Sequence, residues 1–207
     1  MSSRIGVLIV DDHPLLREGL VAVIEGEPDM TVVAEASDGR EAVDCFRQHR
    51  PDVTLMDLQM PEMDGVAAIL AIRAEWPAAR IVMLTTYRGD VKALRALKAG
   101  ACGYLLKSMV RTNMLDAIRA VHTGLRYIPH EVAAELAAHV TDEGLSAREI
   151  EVLGRIAAGS SNKVIAAQLS LSEDTIKSHI RNIMSKLSAK DRTHAVTVAL
   201  KRGIIDV

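Results

Sequence analysis

Short apolar runs alternate with segments of helical periodicity through the first 122 residues of the chain. Most of the runs are continuous rather than alternating, which is typical of strands buried on both faces of a sheet. Five of them have strand length: Ile5–Val10, Thr31–Ala36, Val53–Asp57, Ile81–Thr85 and Gly103–Lys107. The helical segments are Leu15–Glu25 behind Pro14, Gly39–His49, Gly65–Glu75, Val91–Ala99 and Thr112–His122. This alternation predicts an α/β fold with a doubly wound, five-stranded parallel sheet and helices on both faces.

The pattern changes beyond this point, where no further strand-like run occurs. A connector at residues 124–143 contains a short helical segment at Glu131–His139. Four helical segments then follow: Ala147–Ala158 behind a Ser146–Glu149 capping box, Asn162–Leu169, a third from the cap Ser172 to Leu187, and a fourth that Asp191 caps and that stops before Gly203. We therefore predict a first domain at residues 1–123, a linker at 124–143 and an all-α, four-helix domain at 144–207.

Composition limits the kind of protein. Apolar residues make up 49 % of the chain and aromatic residues only 2 %, so aliphatic side chains must fill the core. Cys45 and Cys102 lack the spacing of a metal or redox motif, and we expect two reduced thiols. No signal peptide is visible, and no apolar stretch approaches the roughly 20 residues that span a bilayer. We expect a soluble cytoplasmic protein with no membrane partner.

Charge is distributed unevenly along the chain. The net charge of −2 combines −3 in residues 1–122, −3 in residues 123–144 and +4 in residues 145–207. A basic region binds polyanions such as nucleic acids more readily than an acidic one. Any contact with a nucleic acid is therefore predicted for the last third of the chain.

Three acidic residues, Asp11, Asp12 and Asp57, follow or end predicted strands 1 and 3. If the strand order is 2-1-3-4-5, these strands are neighbours and the carboxylates converge beyond their carboxyl ends. Crowded carboxylates repel one another unless a hard cation joins them, and Mg²⁺ suits such a set. Thr85 ends strand 4 and Lys107 ends strand 5, which brings a hydroxyl and an ammonium to the same rim. A carboxylate nucleophile beside a divalent cation and a lysine is an arrangement that forms an acyl phosphate.

Each of these residues also has an ordinary structural interpretation. An Asp pair after a strand is more often a helix N-cap than a metal site. Thr85 alone is more often an ordinary strand residue, and Lys107 alone is more often a solvated residue at the end of a strand. Tyr104 could equally be a core residue, because the chain has few aromatic side chains. The convergence of all these residue types on one rim favours the functional interpretation.

The third C-terminal helix has two chemically distinct faces. Ile176, Ile180, Ile183, Met184 and Leu187 form one continuous apolar face. The opposite face presents polar residues suited to a DNA major groove, namely Lys177, Ser178, Arg181, Asn182 and Ser185. A short preceding helix and a tight Ser170-Leu171-Ser172 turn favour a helix-turn-helix. A solvated face on a small bundle remains the alternative.

Four motifs in the first domain together resemble the receiver domains of two-component response regulators. They are Val-Asp-Asp-His-Pro at 10–14, Leu-Met-Asp-Leu-Gln-Met-Pro-Glu-Met-Asp-Gly at 55–65, Met-Leu-Thr-Thr-Tyr at 83–87 and Ala-Gly-Ala-Cys-Gly-Tyr-Leu-Leu-Lys at 99–107. The resemblance covers about residues 4–122. It implies a flavodoxin-like sheet of order 2-1-3-4-5. Many receivers have proline after the lysine, whereas Ser108 stands here, which bears on the local geometry rather than on the site.

By position, the resemblance implies a role for each residue of the site. Asp57 accepts a phosphoryl group from a sensor histidine kinase. Mg²⁺ is held by Asp12, Asp57 and the backbone carbonyl of Gln59, with Asp11 acting through water. The phosphoryl-binding and switch residues are Thr85, Lys107, Tyr104 and Thr86, of which Tyr104 turns inward when Thr85 moves and Thr86, with Tyr87, tunes dephosphorylation.

Four further motifs resemble the LuxR-type output domain. They are Leu-Ser-Ala-Arg-Glu-Ile-Glu-Val-Leu at 145–153, Ser-Asn-Lys-Val-Ile-Ala at 161–166, Leu-Ser-Glu-Asp-Thr-Ile-Lys-Ser-His at 171–179 and Lys-Leu-Ser-Ala-Lys-Asp-Arg-Thr-His-Ala-Val at 186–196. By position, base edges are assigned to Lys177, Ser178 and Arg181, and phosphates to Thr175, Asn162, Lys163, Asn182, Lys186 and Arg192. Dimer contact on DNA is assigned to the stripe of Ala195, Val198, Ala199 and Arg202, although core packing explains the apolar ones equally well.

The whole chain thus resembles the NarL/FixJ family. The resemblance implies a regulator, not an enzyme, in which phosphorylation of Asp57 controls homodimerisation and sequence-specific binding of double-stranded DNA. Two other hypotheses remain: a DNA-binding protein that needs no phosphorylation, and a signalling adaptor whose C-terminal bundle binds protein. A ligand-sensing quorum regulator ranks last, because it would not need the Asp, Thr and Lys set.

Overall fold

The first unit is a parallel sheet covered by helices. The computed structural model describes residues 4–86, 90–130, 132–133 and 144–205, with residues 90–93 described by their backbone alone. The strands are β1 (Ile5–Val10), β2 (Met30–Ala36), β3 (Val53–Asp57), β4 (Ile81–Thr85) and β5 (Gly103–Leu106). The helices of this unit are α1 (Pro14–Glu25), α2 (Gly39–His49), α3 (Gly65–Glu75), α4 (Asp90–Ala99) and α5 (Val110–His122). All strand pairs are parallel and the order is β2-β1-β3-β4-β5, which confirms the predicted sheet.

Both faces of the sheet are buried, as the continuous apolar runs predict. Val7, Ile9 and Leu55 pack in one core cluster with Leu20 of α1 and Ile118 of α5. Side chains alternate across a strand, so their neighbours point to the opposite face. Those neighbours, Leu8, Val10 and Met56, are fully buried as well.

The end of β5 differs by one residue from the prediction. Thr85 and Leu106 form the last residue pair between β4 and β5, so the ladder stops before Lys107. Lys107–Met109 instead form a short 3₁₀ turn, in which Ser108 is exposed, and α5 begins directly after it. The predicted start of α5 at Thr112 was therefore two residues late.

The first residues of the predicted linker belong to the sheet-containing unit, which extends to Ala133. Gly124 (φ +90°) ends α5, and Tyr127 then forms a parallel bridge with Gly103 of β5. The predicted boundaries of the linker, at residues 124 and 143, stay a prediction. Of the helix predicted at 131–139, residues 132 and 133 are helical, and its other positions lie outside the described residues.

The second unit is all-α, as predicted. Its helices are α6 (Ala147–Ala157), α7 (Asn162–Leu169), α8 (Glu173–Lys186) and α9 (Arg192–Lys201). Ser146, Ser161, Ser172 and Asp191 cap these helices with their side chains, and Ser146 with Glu149 completes a capping box. Across both units, within the ranges that the structure describes, no helix is long and apolar enough to cross a bilayer.

Candidate functional site

An acidic pocket lies at the carboxyl ends of β1 and β3. Val10 pairs with Met56, so Asp11 and Asp57 emerge side by side from adjacent strands. Each of Asp11, Asp12, His13 and Asp57 offers one ligand atom, and these four atoms all lie within 4.8 Å of one another. Asp11 is fully buried and Asp57 is 4 % exposed, so the carboxylates face each other away from bulk water.

Lys107 joins two of these carboxylates. Its Nζ lies 2.8 Å from Asp57 Oδ2 and 2.8 Å from Asp11 Oδ2. Burial raises the pKa of Asp57 above its ordinary value, and the hydrogen bond and charge of Lys107 only partly oppose this. Burial alone would lower the pKa of Lys107, but the carboxylates of Asp11 and Asp57 outweigh it and raise that pKa. The lysine therefore remains an ammonium at the position where an anionic group would bind.

The residues of the pocket fit a divalent cation. One ammonium faces three carboxylates, so the cluster retains an excess of negative charge. Asp12 Oδ1 is buried and accepts no hydrogen bond, even though His13 Nδ1 lies 2.7 Å away. A buried carboxylate oxygen without a donor is free to serve as a metal ligand, and Mg²⁺ prefers such oxygens. Gln59, the predicted backbone ligand, donates from its N–H to Asp57 Oδ1 at 3.4 Å and is exposed.

The remaining predicted switch residues lie on β4 and β5 or directly after β4. Thr85 ends β4, is 1 % exposed and pairs with Leu106, which places it at the same rim as Lys107. Tyr104 is fully buried and pairs with Met83, so its ring points into the protein in this structure. Thr86 follows Thr85 and is exposed.

Two contributors to this pocket were not assigned from the sequence. A Cβ at Gly65 would lie 2.2 Å from the carbonyl oxygen of Asp57, so only glycine allows α3 to begin against the acidic residue. The Asp-Gly pair at 64–65 was a signal for this, since Asp64 caps α3. Arg17 donates from Nη1 to the carbonyl oxygen of Asp11 at 2.8 Å and supports the turn after β1.

The second unit contains the predicted helix-turn-helix. Ser170 adopts a left-handed conformation (φ +54°), and the short turn joins α7 to α8. In α8, Ile176 and Ile183 are buried in the core of the unit. Lys177, Ser178, Arg181 and Asn182 are exposed on the other side, as predicted. Lys177 forms an ion pair of 2.9 Å with Asp174 one turn earlier.

The predicted phosphate contacts differ in their surroundings. Lys163 is exposed, Asn162 and Thr175 are half-buried, and Arg192 donates to the carbonyl oxygen of Ser160 at 3.1 Å. Lys186 Nζ instead lies 2.9 Å from Glu149 Oε2, a buried carboxylate of α6. This ion pair gives Lys186 a role in holding the unit together.

Part of the predicted dimer stripe is wrong. Ala195 is 2 % exposed and Ala199 is fully buried, and both pack in the core of the second unit. A stripe of small residues with helical spacing here faces α6 and α8 rather than solvent, so these two side chains are unavailable to a partner. Val198 and Arg202 are half-exposed, and their dimer contact stays a prediction.

Comparison with known proteins agrees with both units. Residues 7–119 match the response regulator receiver domain, and residues 143–199 match the bacterial regulatory proteins of the LuxR family. The chain is 39 % identical to the transcriptional regulatory protein LiaR of Bacillus subtilis, over 98 % of this chain and 100 % of LiaR.

The chain is also similar to two solved response regulators. ChrA of a heme-sensing two-component system is 40 % identical, with a TM-score of 0.59 and coverage of 99 % of this chain and 100 % of that one. RcsB of Salmonella enterica serovar Typhimurium, bound to a promoter in the presence of phosphomimetic BeF₃⁻, is 27 % identical, with a TM-score of 0.75 and coverage of 97 % and 100 %. The chain therefore belongs to the NarL/FixJ family of two-component response regulators, transcription regulators that join a receiver domain to a LuxR-type helix-turn-helix domain.

Proposed function

We propose that Asp57 accepts a phosphoryl group from a sensor histidine kinase, and that this modification controls dimerisation and sequence-specific DNA binding. The observation that supports it is the contact of 2.8 Å between Asp57 Oδ2 and Lys107 Nζ inside a cluster of three carboxylates. The chain is a phosphoacceptor with at most slow self-dephosphorylation, not an enzyme with turnover. Because its proposed partners are a kinase and chromosomal DNA, we assign it to the cytoplasm.

The side chains of the pocket divide the chemistry of phosphoryl transfer among them. The nucleophile is the carboxylate of Asp57, which is deprotonated at neutral pH when a cation offsets its burial. A Mg²⁺ ion held by Asp12, Asp57 and the Gln59 carbonyl, with Asp11 acting through water, would neutralise charge on the transferred group. Lys107 has its ammonium beside the attacking oxygen and is in position to bind a phosphoryl oxygen.

Strands β4 and β5 connect the pocket to the surface. We propose that the Thr85 hydroxyl binds the phosphoryl group and that Tyr104 responds to its movement, while exposed Thr86 affects dephosphorylation. A phosphoryl group adds about −1.5 to −2 charges at pH 7, which is large enough to shift a two-state equilibrium.

In the second unit, we propose that Lys177, Ser178 and Arg181 read base edges. Their exposed row on α8 has the geometry of a recognition helix. Phosphate contacts are proposed for Thr175, Asn162, Lys163, Asn182 and Arg192, and dimer contact on DNA for Val198 and Arg202. Two copies would then bind half-sites about one helical turn apart.

The test compares DNA binding by the wild type and by Asp57→Asn, each with and without Mg²⁺ and a small-molecule phosphodonor. We expect the phosphodonor to add one phosphoryl group to the wild type and to change its DNA affinity, only when Mg²⁺ is present. Asp57→Asn should show neither effect. Asp44→Asn, which removes an exposed carboxylate on α2, serves as the matched control and should behave as the wild type.

Two results would overturn parts of this proposal. If Asp57→Asn changes its DNA affinity with the phosphodonor as the wild type does, the receiver acts without phosphorylation at this residue. If Lys177→Ala and Arg181→Ala leave DNA affinity unchanged and binding shows little dependence on salt, the second unit binds protein rather than DNA.

A further inference from the structure

A short segment beyond α5 is attached to the free edge of β5. The N–H of Tyr127 donates to the carbonyl oxygen of Cys102 at 3.1 Å, and the N–H of Tyr104 donates to the carbonyl oxygen of Tyr127 at 2.8 Å. These two bonds form the parallel bridge between Tyr127 and Gly103. An edge strand exposes unpaired main-chain groups, and here the chain itself satisfies two of them.

The side chain of Tyr127 adds a second attachment. Its hydroxyl oxygen accepts a hydrogen bond of 3.0 Å from Nδ2 of Asn113 in α5. Its ring is half-buried and packs against the core cluster that contains Leu105 and Ile118. A Cβ at Gly103 would lie 3.2 Å from the Tyr127 carbonyl oxygen, so the glycine in β5 allows this close approach. The segment is therefore fixed by main chain and side chain together.

This attachment lies on the strand that serves the phosphorylation pocket. β5 has only four residues, and Tyr104 is its second. Lys107 follows the strand directly, and its Nζ contacts Asp57 Oδ2 at 2.8 Å. Through Lys107, β5 thus connects the predicted phosphoacceptor Asp57 to Tyr104. The main-chain N–H of Tyr104 in turn connects β5 to Tyr127, in the segment that follows α5.

We propose that Tyr127 is a positioning residue of the phosphorylation switch. It holds the main chain at Tyr104, and it transmits a change in β5 to the segment that leads toward the second unit. The two main-chain bonds, rather than the tyrosine ring alone, form the connection. This inference rests on the proposed function, because it requires phosphorylation of Asp57 to alter the setting of β5.

The first measurement is residue-resolved amide hydrogen exchange on the full chain, with Mg²⁺ and with or without a small-molecule phosphodonor. Both bridge amides, Tyr104 N–H and Tyr127 N–H, should change their exchange rates together on phosphorylation. Neither rate should change in Asp57→Asn. The amide of Thr54, which donates to the carbonyl oxygen of Arg80 at 2.9 Å near the amino-terminal end of β3, is an internal reference and should stay constant.

The second measurement is the ratio of DNA affinities with and without the phosphodonor. Tyr127→Pro removes the N–H that bonds to Cys102 and should reduce this ratio about tenfold, within the range of typical coupling between sites. Tyr127→Phe keeps the main-chain bonds, loses only the Asn113 bond and should reduce the ratio less. Arg126→Ala alters an exposed side chain of the same segment and should leave the ratio as in the wild type.

The outcomes separate this inference from the proposed function. If the wild type takes up phosphate and changes its DNA affinity, while Tyr127 exchange is constant or Tyr127→Pro keeps the full ratio, only this inference is overturned. If the wild type shows no change in DNA affinity, the proposed function fails and the inference with it. A thermal unfolding transition like that of the wild type verifies that Tyr127→Pro is folded. If this variant does not fold, the inference is decided by the hydrogen-exchange rates of the wild type and by whether Tyr127→Phe reduces the ratio of DNA affinities.

Discussion

At the residue scale, Asp57 is a charged group in a place that disfavours its charge. It is 4 % exposed, and both burial and the nearby Asp11 carboxylate raise its pKa, while Lys107 opposes them. A carboxyl group whose ionised form is disfavoured in the folded state lowers stability at neutral pH. This unfavourable charge suits the proposed role of Asp57 as a nucleophile, because binding of a cation and transfer of a phosphoryl group would each offset it.

Removing this charge should stabilise the first unit. In the absence of Mg²⁺ at pH 7, we expect Asp57→Asn to raise the free energy of unfolding by about 1 kcal/mol, because an amide keeps the shape without the buried charge. Mg²⁺ should stabilise the wild type by mass action and the variant much less. Urea unfolding with EDTA and with Mg²⁺ measures both effects. A variant that is less stable than the wild type in EDTA would contradict this view of the pocket.

Gly65 should be irreplaceable for a different reason, the close approach of two main-chain segments. An added Cβ would lie 2.2 Å from the Asp57 carbonyl oxygen, and main chain has little room to move there. We expect Gly65→Ala to lower stability by about 2 kcal/mol and to impair phosphorylation of Asp57. Thermal unfolding and uptake of phosphate from a phosphodonor report the two effects.

The control is Gly154→Ala, in the middle of α6. A Cβ at Gly154 meets no atom within 4 Å, and alanine is the better helix former. This variant should be as stable as the wild type or more so, with unchanged phosphate uptake. Equal stability of the two alanine variants would show that the contact at Asp57 does not restrict residue 65.

At the element scale, the start of α6 depends on one buried carboxylate. Glu149 Oε2 accepts from the Ser146 N–H at 2.8 Å and lies 2.9 Å from Lys186 Nζ at the end of α8. The same group therefore completes a capping box and joins two helices. Burial raises the pKa of Glu149, but the bonds from Ser146 and Lys186 outweigh it, so the pKa falls below its ordinary value.

Glu149→Gln should consequently destabilise the second unit in a pH-dependent way. A lowered pKa means that the ionised form stabilises the fold above the ordinary pKa of 4.5, and that this contribution is lost as pH falls through the lowered value. We expect a loss of about 2 kcal/mol at pH 7, with a smaller difference from the wild type at pH 4 and below. Urea unfolding across this range measures it. Glu151→Gln, which breaks exposed ion pairs on the same helix, should have little effect, and an equal loss in both would contradict the argument.

Elements were predicted well where a pattern is local and poorly where a contact is distant. Apolar runs that end in Asp57 and Thr85 predict both the strands and the rim, because parallel strands end at one edge. Ala195 and Ala199 show the limit, since small residues at helical spacing suit a core and an interface alike. The bridge of Tyr127 to Gly103 joins residues 24 positions apart with no repeating pattern, so no periodicity predicts it.

At the scale of the whole molecule, the two units differ in charge as well as in fold. Residues 1–122 have a net charge of −3 and residues 145–207 a net charge of +4. The chain as a whole is slightly acidic, so affinity for DNA must come from local placement of cations rather than from overall attraction. The proposed phosphorylation of Asp57 would make the first unit more acidic still and widen this difference.

The salt dependence of DNA binding should therefore be determined by phosphate contacts of the second unit alone. Each phosphate contact contributes about 0.9 to the slope of log affinity against log salt concentration. Lys163 is exposed in the first turn of α7, and Lys163→Ala should weaken binding to all sequences and lower the slope by about one. Arg40→Ala removes an exposed cation from α2 in the acidic unit and should change neither affinity nor slope.

Titrations of the full chain with a target duplex and an unrelated duplex, at several salt concentrations, distinguish the effects of the two variants. A lower slope in Arg40→Ala, or an unchanged slope in Lys163→Ala, would assign the phosphate contacts to other residues than the charge distribution indicates.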